Sequence, residues 1–155
     1  MKFRFYQLLF VASIALMVIA LINPICEIIE PKGMTAILKN FGYTLADGTV
    51  SRSVVALGVV LIFAAVVNAF AILVSLFSNF ALQKRCSILS MFLVAGYYIL
   101  LLVYLFILTS DASVKMLWAM FMPLIVLAFN ALSFVLVRRQ EAKIIAKAMG
   151  FRLRD

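Results

Sequence analysis

Histidine is absent from the 155-residue chain, and with it the commonest side chain for binding metal or haem and for shuttling protons near neutral pH. No Ser/His/Asp triad can be assembled without it. Charge is scarce as well: Asp, Glu, Lys and Arg make up 13% of the residues while 67% are hydrophobic, where a soluble domain is nearer one half apolar. No phosphate loop, dinucleotide fingerprint or internal repeat occurs. The expectation is therefore a protein without catalytic machinery and without a cofactor or metal. Only two cysteines are present, Cys26 and Cys86. They fall at opposite ends of the predicted spans, beyond the roughly 7 Å between Cα atoms that a disulfide tolerates. Both read as free, small apolar residues, with pairing of Cys26 to another chain as the alternative.

What the chain has in abundance is long uncharged sequence. Phe5 to Cys26, Ser53 to Gln83, Cys86 to Ser110 and Met116 to Val137 contain no Asp, Glu, Lys or Arg over 22, 31, 25 and 22 residues. About 20 residues suffice to cross the hydrocarbon of a bilayer as a helix. Buried helices of a soluble protein would show charged outer faces, and barrel strands would alternate polar and apolar positions. The expected fold class is an all-α membrane protein: a single four-helix transmembrane domain over 1–155, antiparallel, with spans at about 5–23, 54–82, 86–110 and 116–137. An outer loop takes 24–53 and a tail 138–155. Lys2 and Arg4 before an apolar run resemble the start of a signal peptide, but no small-x-small cleavage site follows near Ala20. Span 1 is read as retained.

The formal charge of +8 is not spread evenly. The five extramembrane segments carry net +2, 0, +2, 0 and +4, so the excess gathers where both termini and the "QKR" turn meet. Basic flanks mark the cytoplasmic side, which places both termini in the cytoplasm. No aromatic-lined basic groove accompanies the charge, so nucleic acid is not an expected partner. Membrane lipids are, and so are other membrane or cytoplasmic subunits.

Polar residues recur at seven-residue spacing within the spans and so share helix faces. Span 2 carries Gly58, Ala65, Ile72 and Asn79 on one row and Leu61, Asn68, Ser75 and Leu82 on the next; span 3 carries Ser90, Tyr97 and Tyr104; span 4 carries Pro123 and Asn130 with Ser133 close by. Such rows pack helices together, since small residues allow close approach and Asn and Ser bond across the interface. The alternative is a polar crevice lined by Asn68, Ser75, Asn79, Tyr97, Tyr104, Asn130 and Ser133. Pro123 is expected to kink span 4 and free a carbonyl one turn earlier.

In the outer loop, "GYTLADGTVS" predicts a β-hairpin turning at Asp47-Gly48, and "TAILKNFGY" a short helix capped by Thr35 and ended by Gly42. Together these make a small cap. Glu27 and Glu30 read as solvated carboxylates. "TSDASVK" is a short connection between antiparallel neighbours. After Arg139 the tail reads as a basic amphipathic surface helix, interrupted at Gly150, with Arg138, Arg139, Lys143, Lys147, Arg152 and Arg154 available to lipid head groups or a partner.

The basic start, "LQKRCSIL" between spans 2 and 3, the proline of span 4 followed by Asn130, and the ending with Arg138, Glu141 and "RLR" resemble a family of small four-span inner-membrane proteins of the Bacteroidota, a domain of unknown function. Gln140 and Phe151 stand where that pattern carries acidic residues. The resemblance implies a fold and a location and brings no activity. The functional expectation is a non-catalytic accessory or scaffold subunit of a membrane complex; the alternative is a small carrier, channel or lipid-binding protein using a polar crevice among spans 2 to 4.

Overall fold

The computed structural model describes residues 4–31, 33, 35–45, 48–51, 55–108 and 113–152, with 50, 51, 108, 151 and 152 described as backbone only. Four helices, α1 (Phe5–Ile22), α2 (Val55–Leu76), α3 (Phe80–Leu108) and α4 (Met122–Arg152), are long and apolar enough to cross a membrane. Their principal contacts run α1 to α2, α2 to α3, α3 to α4 and α4 back to α1, a closed square. The faces are sorted in the reverse of a soluble bundle. Phe63, Phe92 and Phe106 are 60%, 72% and 85% exposed, whereas Ser13, Asn68, Ser90 and Asn130 are wholly buried. Apolar outer faces fit hydrocarbon as their medium, and small polar residues then hold the helices together by packing and hydrogen bonds.

One end of the square is closed by an antiparallel sheet of β1 (Cys26–Ile29), β2 (Thr35–Lys39), β3 (Gly42–Thr44), β4 (Val50–Ser51) and β5 (Ser113–Met116), in the order β4-β3-β2-β1-β5. Cys26, Ile28, Ala36, Leu38 and Tyr43 form its inner face and pack on Leu57, Leu61, Tyr97 and Leu101 of the helices. The expected helix at "TAILKNFGY" is instead β2, a turn at Asn40-Phe41, and β3. Its burial alternates strictly, with Ala36 and Leu38 inward and Thr35 and Lys39 outward, and β1 supplies a ladder in the register Cys26↔Leu38 and Ile29↔Thr35. A helix of so few residues cannot repay its nucleation, whereas a paired strand satisfies its backbone at once. The second hairpin joins β3 to β4. Its turn is wider than two residues: Leu45 N–H donates to the Thr49 carbonyl at 2.8 Å and Gly48 N–H to the Leu45 carbonyl at 3.0 Å. Gly48 takes φ +87°, the left-handed geometry that closes such a turn; Asp47 lies outside the described residues. The third connection also departs from a plain turn, because Ser113–Met116 pairs with β1 in the register Glu27↔Lys115. Glu27 then reaches the Lys115 ammonium at 3.8 Å.

The α2–α3 turn and both ends of span 4 differ from the sequence expectation, the expected start at Met116 lying in β5 and α4 beginning at Met122. The turn between α2 and α3 lies at Phe77–Asn79, not at "QKR": Ser78 adopts φ 55°, and Asn79 Oδ1 caps α3 by accepting from Leu82 N–H at 3.2 Å. Gln83, Lys84 and Arg85 are inside α3. Charge marks where hydrocarbon ends; caps and left-handed residues mark where a helix ends. At its far end, span 4 and the tail are one uninterrupted helix through Gly150 to Arg152. Pro123 sits in the first turn of α4, after a 3-10 turn at Trp118–Phe121, where its missing N–H is tolerated and no kink is required. The carbonyl one turn before Pro123 is not left free: Ala119 O accepts the Met122 N–H, while the neighbouring Met120 O accepts the Tyr98 hydroxyl at 2.7 Å.

Candidate functional site

Each helix places polar side chains between two apolar layers. One layer joins Met17, Ala64, Val94 and Val126, one residue per helix. Toward the basic end, a second joins Tyr6, Phe10, Ala71, Cys86 and Val137. Between them lie Ser13 on α1, Asn68 on α2, Ser87 and Ser90 on α3, and Asn130 and Ser133 on α4, all fully buried. Helical repetition of three and four residues puts these groups on inward faces at one level.

The layer is incompletely satisfied. Asn130 Nδ2 donates to Ser90 Oγ at 2.9 Å, and Ser13 Oγ donates back to the Leu9 carbonyl at 2.8 Å. Both side-chain atoms of Asn68, Asn130 Oδ1, Ser87 Oγ and Ser133 Oγ have no partner. Because α3 and α4 are antiparallel, Ser87 and Ser133 are both one turn from the Ser90–Asn130 bond in the same direction. Unpaired polar groups in a low-dielectric interior are costly. Closer to the basic end, Gln83 is also buried with its amide unpaired. Three cavities, of about 200, 320 and 380 Å³, open near the basic end of the bundle. None of the three is lined by Asn68, Asn130 or Ser133.

The residues expected to share a crevice thus separate into distinct places. Asn68, Asn130 and Ser133 are in the buried layer. Ser75 belongs to a tie at the basic end, accepting from Gln7 Nε2 at 2.7 Å and donating to the Ile72 carbonyl at 2.6 Å. Asn79 is exposed at the α2–α3 turn and is a helix cap; the earlier termination of α2 removes it from the row. Tyr97 and Tyr104 pack at the sheet end. Arg138, Arg139, Lys143 and Lys147 are exposed on α4; Arg152 is described as helix backbone only, and Arg154 lies outside the described residues. The basic end also holds an ion pair, Lys84 to Glu141 at 2.5 Å, both about a quarter exposed. Gln83 and Lys84 carry no helical signal of their own, because the charge of "QKR" reads as a turn, and Ser87 falls on none of the seven-residue rows. Gln7 and Asn40 escaped because no spacing within one segment reveals a partner in another.

At the sheet end, Asn40 is fully buried and bound on three sides. Its Nδ2 donates to the Ala20 carbonyl at 2.6 Å, its Oδ1 accepts from Tyr97 at 2.9 Å, and its carbonyl accepts Gly58 N–H at 2.9 Å. The sheet is thereby fastened to α1, α2 and α3. Cys26, on the inner face of β1, is free and buried, and burial pushes its thiol up to about 11. Buried at 0% exposure, it is out of reach of another chain's cysteine. Among the described residues no three His, Cys, Asp or Glu side chains come together as a metal group would require.

No curated protein matches the chain. The model of the family described as Domain of unknown function (DUF4293) matches residues 7–148, from the first turn of α1 almost to the end of α4, and the chain belongs to that family.

Proposed function

We propose that the protein is a non-catalytic subunit of a membrane complex, anchored by its four helices and meeting its partner through the projecting end of α4. One observation carries the reading. Among the described side chains, the last of α4 with a bond into the bundle is Glu141, and from Ala142 to Gly150 every residue is exposed. Ile144, Ile145 and Met149 are 44%, 49% and 62% exposed there, on a helix continuous with the span. At about 1.5 Å per residue, Met149 stands about 15 Å beyond Arg139, past a head-group layer roughly 5–7 Å deep. A helix cannot turn into the membrane plane without a break, so these apolar side chains suit a protein surface better than lipid. The basic balance of this end supports a cytoplasmic orientation in a bacterial inner membrane, and nothing in the site calls for nucleic acid. Photo-cross-linkers at Ile145 and Met149 in native membranes test the proposal. It predicts discrete adducts with another polypeptide that are lost on Ile144→Glu, a change on the same exposed stretch. Adducts with lipid alone, or none at either position, would reject it.

The unpaired atoms of the buried layer favour a second reading, a carrier of a small neutral solute. Proteoliposomes that take up no small neutral solute would reject that reading without touching the first, and uptake that is lost in Asn68→Leu would support it.

A further inference from the structure

We infer that the cleft between the basic ends of α1 and α4 is a binding site for the phosphate of an anionic phospholipid. The cavity, about 200 Å³, is lined on its polar side by Arg4, Tyr6, Arg139, Gln140 and Lys143. That volume is about seven times a water's share of the liquid, ample for a phosphate group. No carboxylate lines it. Among the described residues the two ion pairs are Lys84–Glu141 and Lys115–Glu27, so Arg4, Arg139 and Lys143 have no acidic partner. Arg139 and Lys143 stand four apart on α4, where like charges repel. An anion supplied from outside the chain relieves that repulsion.

Arg4 is prepositioned for such an anion. Its Nη1 donates to the Tyr6 hydroxyl at 3.0 Å, its guanidinium lies 5.9 Å from the centre of the Phe80 ring, and its backbone N–H donates to Gln7 Oε1 at 2.9 Å. Gln7 in turn is tied to Ser75 on α2. A guanidinium fixed by hydroxyl and ring keeps further donors free, in the planar fork that matches phosphate oxygens.

The source of the phosphate follows from what lies beside the charges. Phe5 and Leu136 complete the cavity wall, and the apolar exposure continues along both helices through Leu8 and Val11 on α1 and Val135 and Leu132 on α4. Cations at the end of an apolar track match a head group with its acyl chains, and a free phosphate would use only half of the site. The site does not depend on α4 meeting a protein partner.

The test uses the full chain, delipidated in a neutral detergent, with phosphatidylglycerol, phosphatidylcholine and inorganic phosphate as separate probes. Native mass spectrometry should find a discrete phosphatidylglycerol adduct at least ten times more populated than that of phosphatidylcholine, with a higher unfolding temperature. Arg139→Gln/Lys143→Gln should reduce the adduct at least fivefold, while Arg138→Gln/Lys147→Gln, which removes equal charge from the same helix outside the cavity, should leave it within twofold. Equal losses in both pairs would overturn the site in favour of diffuse attraction. Equal uptake of the two lipids, or equal protection by inorganic phosphate, would overturn the assignment to an anionic lipid.

Discussion

The Tyr97 hydroxyl, on α3, donates at 2.9 Å to Oδ1 of Asn40, a residue in the turn between β2 and β3 fifty-seven positions earlier in the chain. Asn40 Nδ2 simultaneously holds the last turn of α1 through the Ala20 carbonyl. A single buried amide therefore sets the seat of the sheet on the bundle, and its neighbours respond to its loss in a defined order. Tyr97→Phe leaves one acceptor unpaired and should lower stability by about 1–3 kcal/mol. Asn40→Ala removes two bonds and should cost more, seen as a lower thermal midpoint in detergent. If both variants melted with the parent, the amide would have no part in seating the sheet.

Gly58 and Phe41 form the adjoining contact. A Cβ on Gly58 would lie 2.3 Å from Cε1 of the Phe41 ring. Phe41 is 43% exposed, so its ring can swing away at the loss of its packing. Gly58→Ala should therefore destabilise the parent, while in a Phe41→Ala background the same change should stabilise by about 0.5–1 kcal/mol, the ordinary gain of Ala over Gly inside a helix. The sign reversal across the double-mutant cycle is the measurement; the same sign in both backgrounds would refute the contact.

Asn68 and Asn130 should respond oppositely to leucine. Both polar atoms of Asn68 lack partners, so Asn68→Leu removes a desolvation cost of about 1–3 kcal/mol and should raise the unfolding temperature. Asn130→Leu strips Ser90 of its donor and should lower it. A destabilised Asn68→Leu would mean that the amide is bonded in the membrane to a water or solute, and would strengthen the carrier reading.

Cys26 should be inert until the sheet opens. Its thiol is raised from an ordinary 9.0 to about 11 by burial, and the thiolate is the reactive form. Maleimide labelling at pH 8 should be slow in the folded protein and fast after denaturation. The linkage runs one way: the folded state holds the proton more tightly, so this contribution to stability is complete below about pH 9 and declines between 9 and about 11. Fast labelling without denaturant would show the sheet to be open.

The number and apolar character of the helices were legible because hydrocarbon thickness imposes a length that charge-free runs display directly. The ends of those helices were less so. The uncharged run Ser53 to Gln83 hid the turn at Ser78, since a helix may stop while its sequence remains apolar, and Arg138 and Arg139 marked a charge boundary that α4 passes through. The buried layer was partly visible: Asn68, Asn130 and Ser133 fell on the expected rows, while Tyr97 and Tyr104, correctly placed on one face of α3, proved to belong to the sheet end.

Composition and local pattern alone determined that the chain forms four apolar helices, with its charge gathered at one end, and that the turn near Gly48 belongs to a hairpin. Only the tertiary structure decided that the first and third loops join in one sheet, that Asn40 meets Tyr97, and that Arg4 shares a cleft with Arg139 and Lys143. The reason is physical. Span length and hairpin turns follow from residues close in sequence, whereas strand partners, buried hydrogen bonds and clusters of like charge depend on which segments the closed square of helices brings side by side.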